Sequence, residues 1–200
     1  MKRHVILCTG GIGSGKSVVV RTLNELGVPS YDCDRSAKEL YDRDPQLLAD
    51  VVRLTDPGVL DASGRLDRAA LAGRIFRDGD LLRKVEELVH PAVVRDFAAW
   101  LDARPEPVVV IESAILLEKP QFAPMYDSVL VVTAPEEVRI ARVMARDGVS
   151  EAQVRRRMAL QWSDERRVAC ADFVLENNDR QAILPALLNM LAKISEDGKN

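Results

Sequence analysis

The sequence predicts an α/β fold: a parallel sheet of five strands, buried on both faces and flanked by helices. Three observations predict it. Short apolar, β-branched runs recur along the chain, continuous rather than alternating, as in strands covered on both faces. Segments with apolar residues at helical spacing separate these runs, as in a doubly wound domain. A glycine-rich loop follows the first run directly and opens the first helical segment.

Residues 4–8 (HVILC) form the first expected strand. Residues 17–26 read as a helix stopped by Gly27. Residues 28–31 make a weaker second strand, 107–111 (PVVVI) a third, 128–133 (SVLVVT) a fourth and 172–175 a weaker fifth. The long stretch between the second and third strands is helical in pattern and reads as an insertion beside the sheet. Leu81, Val85 and Leu88 recur at helical spacing there, and Val93, Phe97 and Trp100 follow His90-Pro91, with Pro91 suited to a first helical turn. Leu184, Leu187, Leu188 and Leu191 form the apolar stripe of a last helix, and residues 196–200 read as a frayed end.

Composition bounds the function. A chain of 200 residues fits one domain with an insertion, and 47% hydrophobic with 30% charged residues supports a buried core rather than disorder. A net charge of −3 lacks the basic excess of a nonspecific nucleic-acid binder. No apolar run reaches the length of a membrane span, and the apolar run at residues 4–8 is too short for a signal-peptide core. Cys8, Cys33 and Cys170 are scattered without C-x-x-C spacing, which argues against zinc and a disulfide framework and for reduced thiols in a cytoplasmic protein. Small molecules are the expected partners, not nucleic acid or membrane.

Gly10-Gly-Ile-Gly-Ser-Gly-Lys-Ser17 matches G-x-x-x-x-G-K-[ST], and its context is strand before, helix after. This is a P-loop, and the sheet around it is therefore of P-loop NTPase type. The loop turns backbone N–H groups inward as an anion nest, and the helix N-terminus adds positive potential. The expected nucleotide contacts are Gly11, Ile12, Gly13, Ser14, Gly15, Lys16, Ser17 and Val18, with Lys16 on the β- and γ-phosphates of ATP and Ser17 ligating Mg²⁺. The bland alternative, a glycine-rich turn without a ligand, does not account for the Lys-Ser pair at this spacing. Alone, the motif does not separate kinases from GTPases or motor ATPases.

Asp32-Cys33-Asp34 supplies that separation. Ligands of open α/β sheets bind beyond the carboxyl ends of the strands, and a carboxylate there can orient or accept the proton of an attacking hydroxyl. If the strand continues, alternation puts Asp32 and Asp34 on one side; otherwise Asp34 caps a helix starting near Ser36. Glu112 is either an acid contacting Mg²⁺ through water or a polar strand end. Arg139, Arg142 and Arg146 share one helix face, which either closes over phosphates as a lid or pairs in solvent with Glu136, Glu137, Asp147 and Glu151. No N-K-x-D guanine signature is present. The residues together point to an ATP-dependent small-molecule kinase, with a nucleoside or nucleotide kinase and a non-catalytic ATP-binding regulator as the other readings.

The chain resembles the dephospho-coenzyme A kinase family over nearly all its length. Thr9-Gly-Gly-Ile-Gly-Ser-Gly-Lys-Ser17 is similar to that family's P-loop, and Asp32-Cys33-Asp34 stands where the family carries Asp-Ala-Asp. Gly64-Arg-Leu-Asp-Arg68, Glu87-Leu-Val-His-Pro91, Arg142-x3-Arg146-Asp147, Arg157-x3-Gln161 and Ala171-Asp-Phe-Val-Leu-Glu-Asn177 resemble further elements in the same order. The resemblance implies transfer of the ATP γ-phosphoryl group to the ribose 3′-hydroxyl of dephospho-coenzyme A. It implies a core at about residues 1–33, 105–135 and 169–200, a helical substrate-binding insertion at about 34–104 and a lid at about 136–168. It implies Asp34 as base or hydroxyl-orienting group beside Lys16 and Arg142, with Arg146 on the nucleotide. Asp32 and His90 would bind substrate, with a helix-start role as the other reading of His90. Three departures stand out: Val18 where the family often has Thr, Cys33 where it has Ala, and Ala114-Ile-Leu-Leu-Glu118 without the family's leading Pro.

Overall fold

In the computed structural model, which describes residues 3–178 and 180–197, the apolar runs form five parallel strands. They are β1 (His4–Thr9), β2 (Ser30–Asp32), β3 (Val108–Glu112), β4 (Ser128–Thr133) and β5 (Phe173–Glu176), in the order β2-β3-β1-β4-β5. The pairing puts β1 in the centre, with Cys8 and Asp32 both in register with Glu112, and Thr9 with Val131. One line across the carboxyl edge thus carries Asp32, Glu112 and Cys8, two residues before the glycine-rich loop.

Both faces of the central strands are buried, which is why their sequences do not alternate. Ile6, Cys8, Val110, Leu130 and Val132 pack on one face with Val19, Val20 and Leu23 of α1 (Lys16–Glu25) and with Leu187, Met190 and Ile194 of α9 (Ile183–Asp197). Val5, Leu7, Val109, Ile111, Val129 and Val131 are buried on the other. The α9 stripe corrects the expected one: Leu187 is buried, but Leu184 and Leu188 are 44% and 48% exposed. The inward face follows residues 183, 187, 190 and 194, since the strip that meets the sheet includes Met and Ile as well as Leu. The expected fray at 196–200 lies outside the described residues from 198 onward.

The chain divides into two units: Met1–Asp32 with Pro105–Asn200, which holds the sheet, and Cys33–Arg104. The second is helical, with α2 (Cys33–Arg43), α3 (Pro45–Thr55), α4 (Arg68–Ile75) and α5 (Gly79–Asp102). Aspartates start three of these helices: Asp44 accepts from the N–H of Leu47, Asp67 from Ala69 and Ala70, and Asp78 from Asp80 and Leu81. Pro91 does not begin a helix, contrary to its sequence signal; it lies inside the 24-residue α5. A mid-helix proline costs about 3 kcal/mol through a lost hydrogen bond and a clash one turn back. Val85, Ala92, Val93 and Phe97 are buried on both sides of it, in a helix packed against α2 and α3, and their burial outweighs that cost. His90 is accordingly mid-helix and half-buried, not at a helix start.

The buried Cys8 carries a testable consequence. Burial, then the charge of Glu112, pushes its thiol up to about 12 from 9.0, against the opposing charge of Lys16. The neutral thiol therefore contributes stability that is complete below the unfolded value and is lost as pH rises toward the folded one. Relative to Cys8→Ala, the wild type is expected to lose about 1 kcal/mol of unfolding free energy between pH ~8 and ~10. Urea titrations of both proteins at the two pH values measure this; a stability gap that does not change with pH contradicts it.

Candidate active site

The turn between β1 and α1 is built against α6 (Glu136–Asp147), α7 (Glu151–Met158), α8 (Asp164–Val168) and the end of β5. Gly15 is the N-cap of α1 with φ 90°, and a Cβ on it would lie 2.0 Å from Asn177 Nδ2. Only glycine satisfies both the left-handed backbone and the close approach. A Cβ on Gly11 would lie 2.7 Å from Arg139 Nη2, so the guanidinium occupies the space of the missing side chain.

The loop's polar groups divide into two sets. Ser14 N–H donates to Gly11 O at 3.1 Å, Ile12 N–H to Gln161 Oε1 at 2.9 Å, and Val18 N–H to Gly15 O at 3.0 Å. These bonds hold the loop's own shape. N–H groups at the start of a helix such as α1 project, with the helix dipole, toward any anion seated there. Lys16 Nζ donates to Gly10 O at 2.9 Å, which lays the ammonium along the loop.

A cavity of about 400 Å³ opens on this turn, lined by Gly13, Gly15, Lys16, Ser17 and Val18 of the loop and α1 and by Glu112, Arg142, Val143, Arg146 and Asn177. Arg142 donates to Gly13 O at 3.3 Å and to Asn177 O at 3.0 Å, and Asn177 Nδ2 donates to Ser14 O at 3.0 Å. Arg146 pairs at 2.7 Å with Asp147, which also binds Arg157 at 2.8 Å. These two guanidinium groups, Arg146 first, hold the Asp147 carboxyl below the usual carboxylate range.

The arginines of one α6 face thus separate by depth: Arg139 is buried, Arg142 half-buried and Arg146 exposed. Neither of the two simple expectations, phosphate lid or solvated face, describes Arg139, which donates to Ile12 O at 3.1 Å and pairs with Asp164. The structure brings Gly13, Gly15, Lys16, Ser17, Val18, Arg142 and Arg146 to one cavity. Gly11, Ile12 and Ser14 belong to the supporting side of the loop. Glu112 is at the cavity, whereas Asp32 ends β2 in register with it. The strand does not continue past Asp32, so alternation does not reach Asp34, which lies in the first turn of α2 rather than at its cap. Asp34 and His90 both belong to the helical unit. Asn177, Gln161 and Glu118 were absent from the expected site, although the first two stand in stretches that carry the family resemblance and Glu118 in one that departs from it.

A complete Walker-type loop between the central strand and first helix of such a parallel sheet defines the class: this is a P-loop nucleotide-binding fold. Comparison with known proteins narrows the class. The family model described as dephospho-CoA kinase matches residues 4–182. The dephospho-CoA kinase of Porphyromonas gingivalis is 40% identical over 93% of this chain and 92% of its own length, and that of Sodalis glossinidius is 39% identical over 90% and 86%. A solved structure from Thermus thermophilus superposes with a TM-score of 0.83 at 34% identity, covering 98% of each chain. The chain belongs to the dephospho-CoA kinase family.

Proposed function

We propose that the protein transfers the γ-phosphoryl group of ATP to the ribose 3′-hydroxyl of dephospho-CoA, releasing CoA and ADP. The observation that carries this reading is an intact phosphate loop, with Lys16, Arg142 and Glu112 on one cavity, in a chain matched by the family from residue 4 to 182. The acceptor oxygen bonds to the γ-phosphorus, the bond from that phosphorus to the β–γ bridging oxygen breaks with its electrons leaving on ADP, and the acceptor's proton passes to the Asp34 carboxylate. Lys16 moves from Gly10 O onto the β- and γ-phosphates, Arg142 offsets charge on the transferring group, and the N–H groups at the start of α1 hold the phosphates. Arg146 also lines the cavity, where it would meet the nucleotide.

The oxygen donors present suit Mg²⁺. Ser17 and Glu112 line one cavity with Lys16, and hydroxyl and carboxylate oxygens are the ligands a hard divalent cation takes. Ser17 would ligate the ion directly and Glu112 through water, and the ion would supply charge neutralisation at the β- and γ-phosphates. Residues 34–104, with Asp32, Asp34 and His90, are assigned to the acceptor, and residues 136–168 to the lid. Cys8, Cys33 and Cys170 are in no disulfide, which is consistent with a cytoplasmic site of action.

A coupled assay of ADP release tests the acceptor. Release is expected with dephospho-CoA and Mg²⁺-ATP, and not with a panel of nucleosides and mononucleotides. Release with a mononucleotide but not with dephospho-CoA overturns the assignment.

A further inference from the structure

The bonds behind the phosphate loop form a connected set that the transfer chemistry does not use. Both polar groups of Ile12 are taken by side chains far away in sequence: its N–H donates to Gln161 Oε1 at 2.9 Å and its carbonyl accepts from Arg139 Nε at 3.1 Å. Arg139 is 8% exposed, and its guanidinium fills the space beside Gly11 while its Nη1 pairs with Asp164. Gln161 and Asp164 flank a turn that is pinned from its other side. Glu118 Oε1 accepts from Trp162 N–H at 3.1 Å and from Arg167 Nη2 at 2.9 Å, and Arg167, fully buried, also donates to Trp162 O. Glu118 itself closes the short turn that follows β3, the strand ending in Glu112.

We propose that Gln161 and Arg139 are positioning residues for phosphoryl transfer, which clamp the two peptides flanking Ile12 and hold the crest of the phosphate loop in its anion-binding shape before nucleotide arrives. An anion nest works only if consecutive N–H groups converge, and rotating a single peptide breaks the convergence. A loop rich in glycine has little intrinsic resistance to such rotation. The crest here is held by the side chains of Gln161 and Arg139 behind it and of Arg142 and Asn177 beside the cavity. The two bonds fix two successive peptides, Gly11–Ile12 through the Ile12 N–H and Ile12–Gly13 through the Ile12 carbonyl, without meeting a phosphate. The order of the loop is thereby imported from residues 161–167, which are in turn anchored by Glu118. The inference rests on residues 10–17 binding nucleotide phosphates, and not on the identity of the acceptor.

Gln161→Met tests it, because Met keeps the length of the side chain and removes the acceptor of Ile12 N–H. Affinity for ADP, measured by calorimetry without any acceptor, is expected to fall about tenfold, the consequence of leaving one part-buried donor unpaired and the nest less ordered. In steady state KM for ATP is expected to rise by a similar factor, KM for the acceptor to stay within about twofold, and Gln161→Glu, which retains the oxygen acceptor, to recover most of the ADP affinity. A role confined to stability instead lowers the thermal midpoint and leaves ADP affinity unchanged well below it. That result, or an equal loss in both Gln161 variants, overturns the proposal. Arg139→Lys keeps the charge on Asp164 but cannot also bond Ile12 O through a planar fork, and it is expected to lower ADP affinity as Gln161→Met does. Unchanged affinity in that variant also counts against the clamp. Because ADP binding is read directly, these outcomes stand even if the wild type proves inactive toward dephospho-CoA.

Discussion

Asp34→Asn is expected to lower kcat by roughly 100- to 10,000-fold while leaving ATP affinity near that of the wild type. Asn matches Asp in size but cannot accept the acceptor's proton. The groups proposed to hold nucleotide lie in residues 10–18 and on α6, so binding of ATP is not expected to depend on this carboxylate. Asp34 lies in the first turn of α2, where loss of one negative charge costs about 0.3–1 kcal/mol with the helix dipole. Stopped-flow or steady-state rates with saturating ATP and dephospho-CoA give the measurement, with Asp32→Asn as comparator. Asp32 ends β2 beside Glu112 at the carboxyl edge, and its neutralisation alters the local field without removing the proposed base. If Asp34→Asn retains kcat within about threefold and Asp32→Asn does not, the base is Asp32 and the role assigned to α2 is wrong.

The fold was legible where local chemistry decides it. The fourth strand coincides with its apolar run, and the others lie within one or two residues of theirs, because buried parallel strands need uninterrupted β-branched residues whatever surrounds them. The phosphate loop was legible for a similar reason: its glycines, Lys16 and Ser17 are contiguous, and the strand before and helix after can be read from the same stretch. Pro91 was misread because its local signal marks a helix start, whereas the helix continues through it under the burial of Val85, Val93 and Phe97. The α9 stripe was misread by counting only leucines. The supporting half of the site could not be read at all. Ile12 meets Gln161 across 149 residues and Ser14 meets Asn177 across 163, and such pairings depend on the strand order, which the order of motifs does not reveal. The equal spacing of Arg139, Arg142 and Arg146 likewise places them on one helix face and says nothing of how deep each goes.

Arg167→Met is expected to destabilise the protein by about 3–5 kcal/mol, since it breaks a buried ion pair on one side only. Arg167 is 0% exposed and meets Glu118 at 2.9 Å, Trp162 O, and Asp164 at 3.6 Å. Methionine fills much of the same volume but leaves Glu118 with an uncompensated charge and Trp162 O without its donor. Desolvation of a lone carboxylate, not the lost attraction, is the larger part of the effect. Two consequences separate this account from a simple packing defect. The double variant Arg167→Met with Glu118→Leu removes the stranded charge and is expected to regain a large part of the lost stability, although it removes more of the native contacts. At about 2–4 °C per kcal/mol for a chain of this size, the single variant's thermal midpoint falls by about 10 °C and the double variant's by less. A double variant no more stable than the single one means that packing around Arg167, rather than charge, sets the cost. The same comparison bears on the active site, because Glu118 and Arg167 hold the turn from which Gln161 reaches Ile12. If the double variant regains stability but not ADP affinity, the buried pair serves the shape of the phosphate loop as well as the fold.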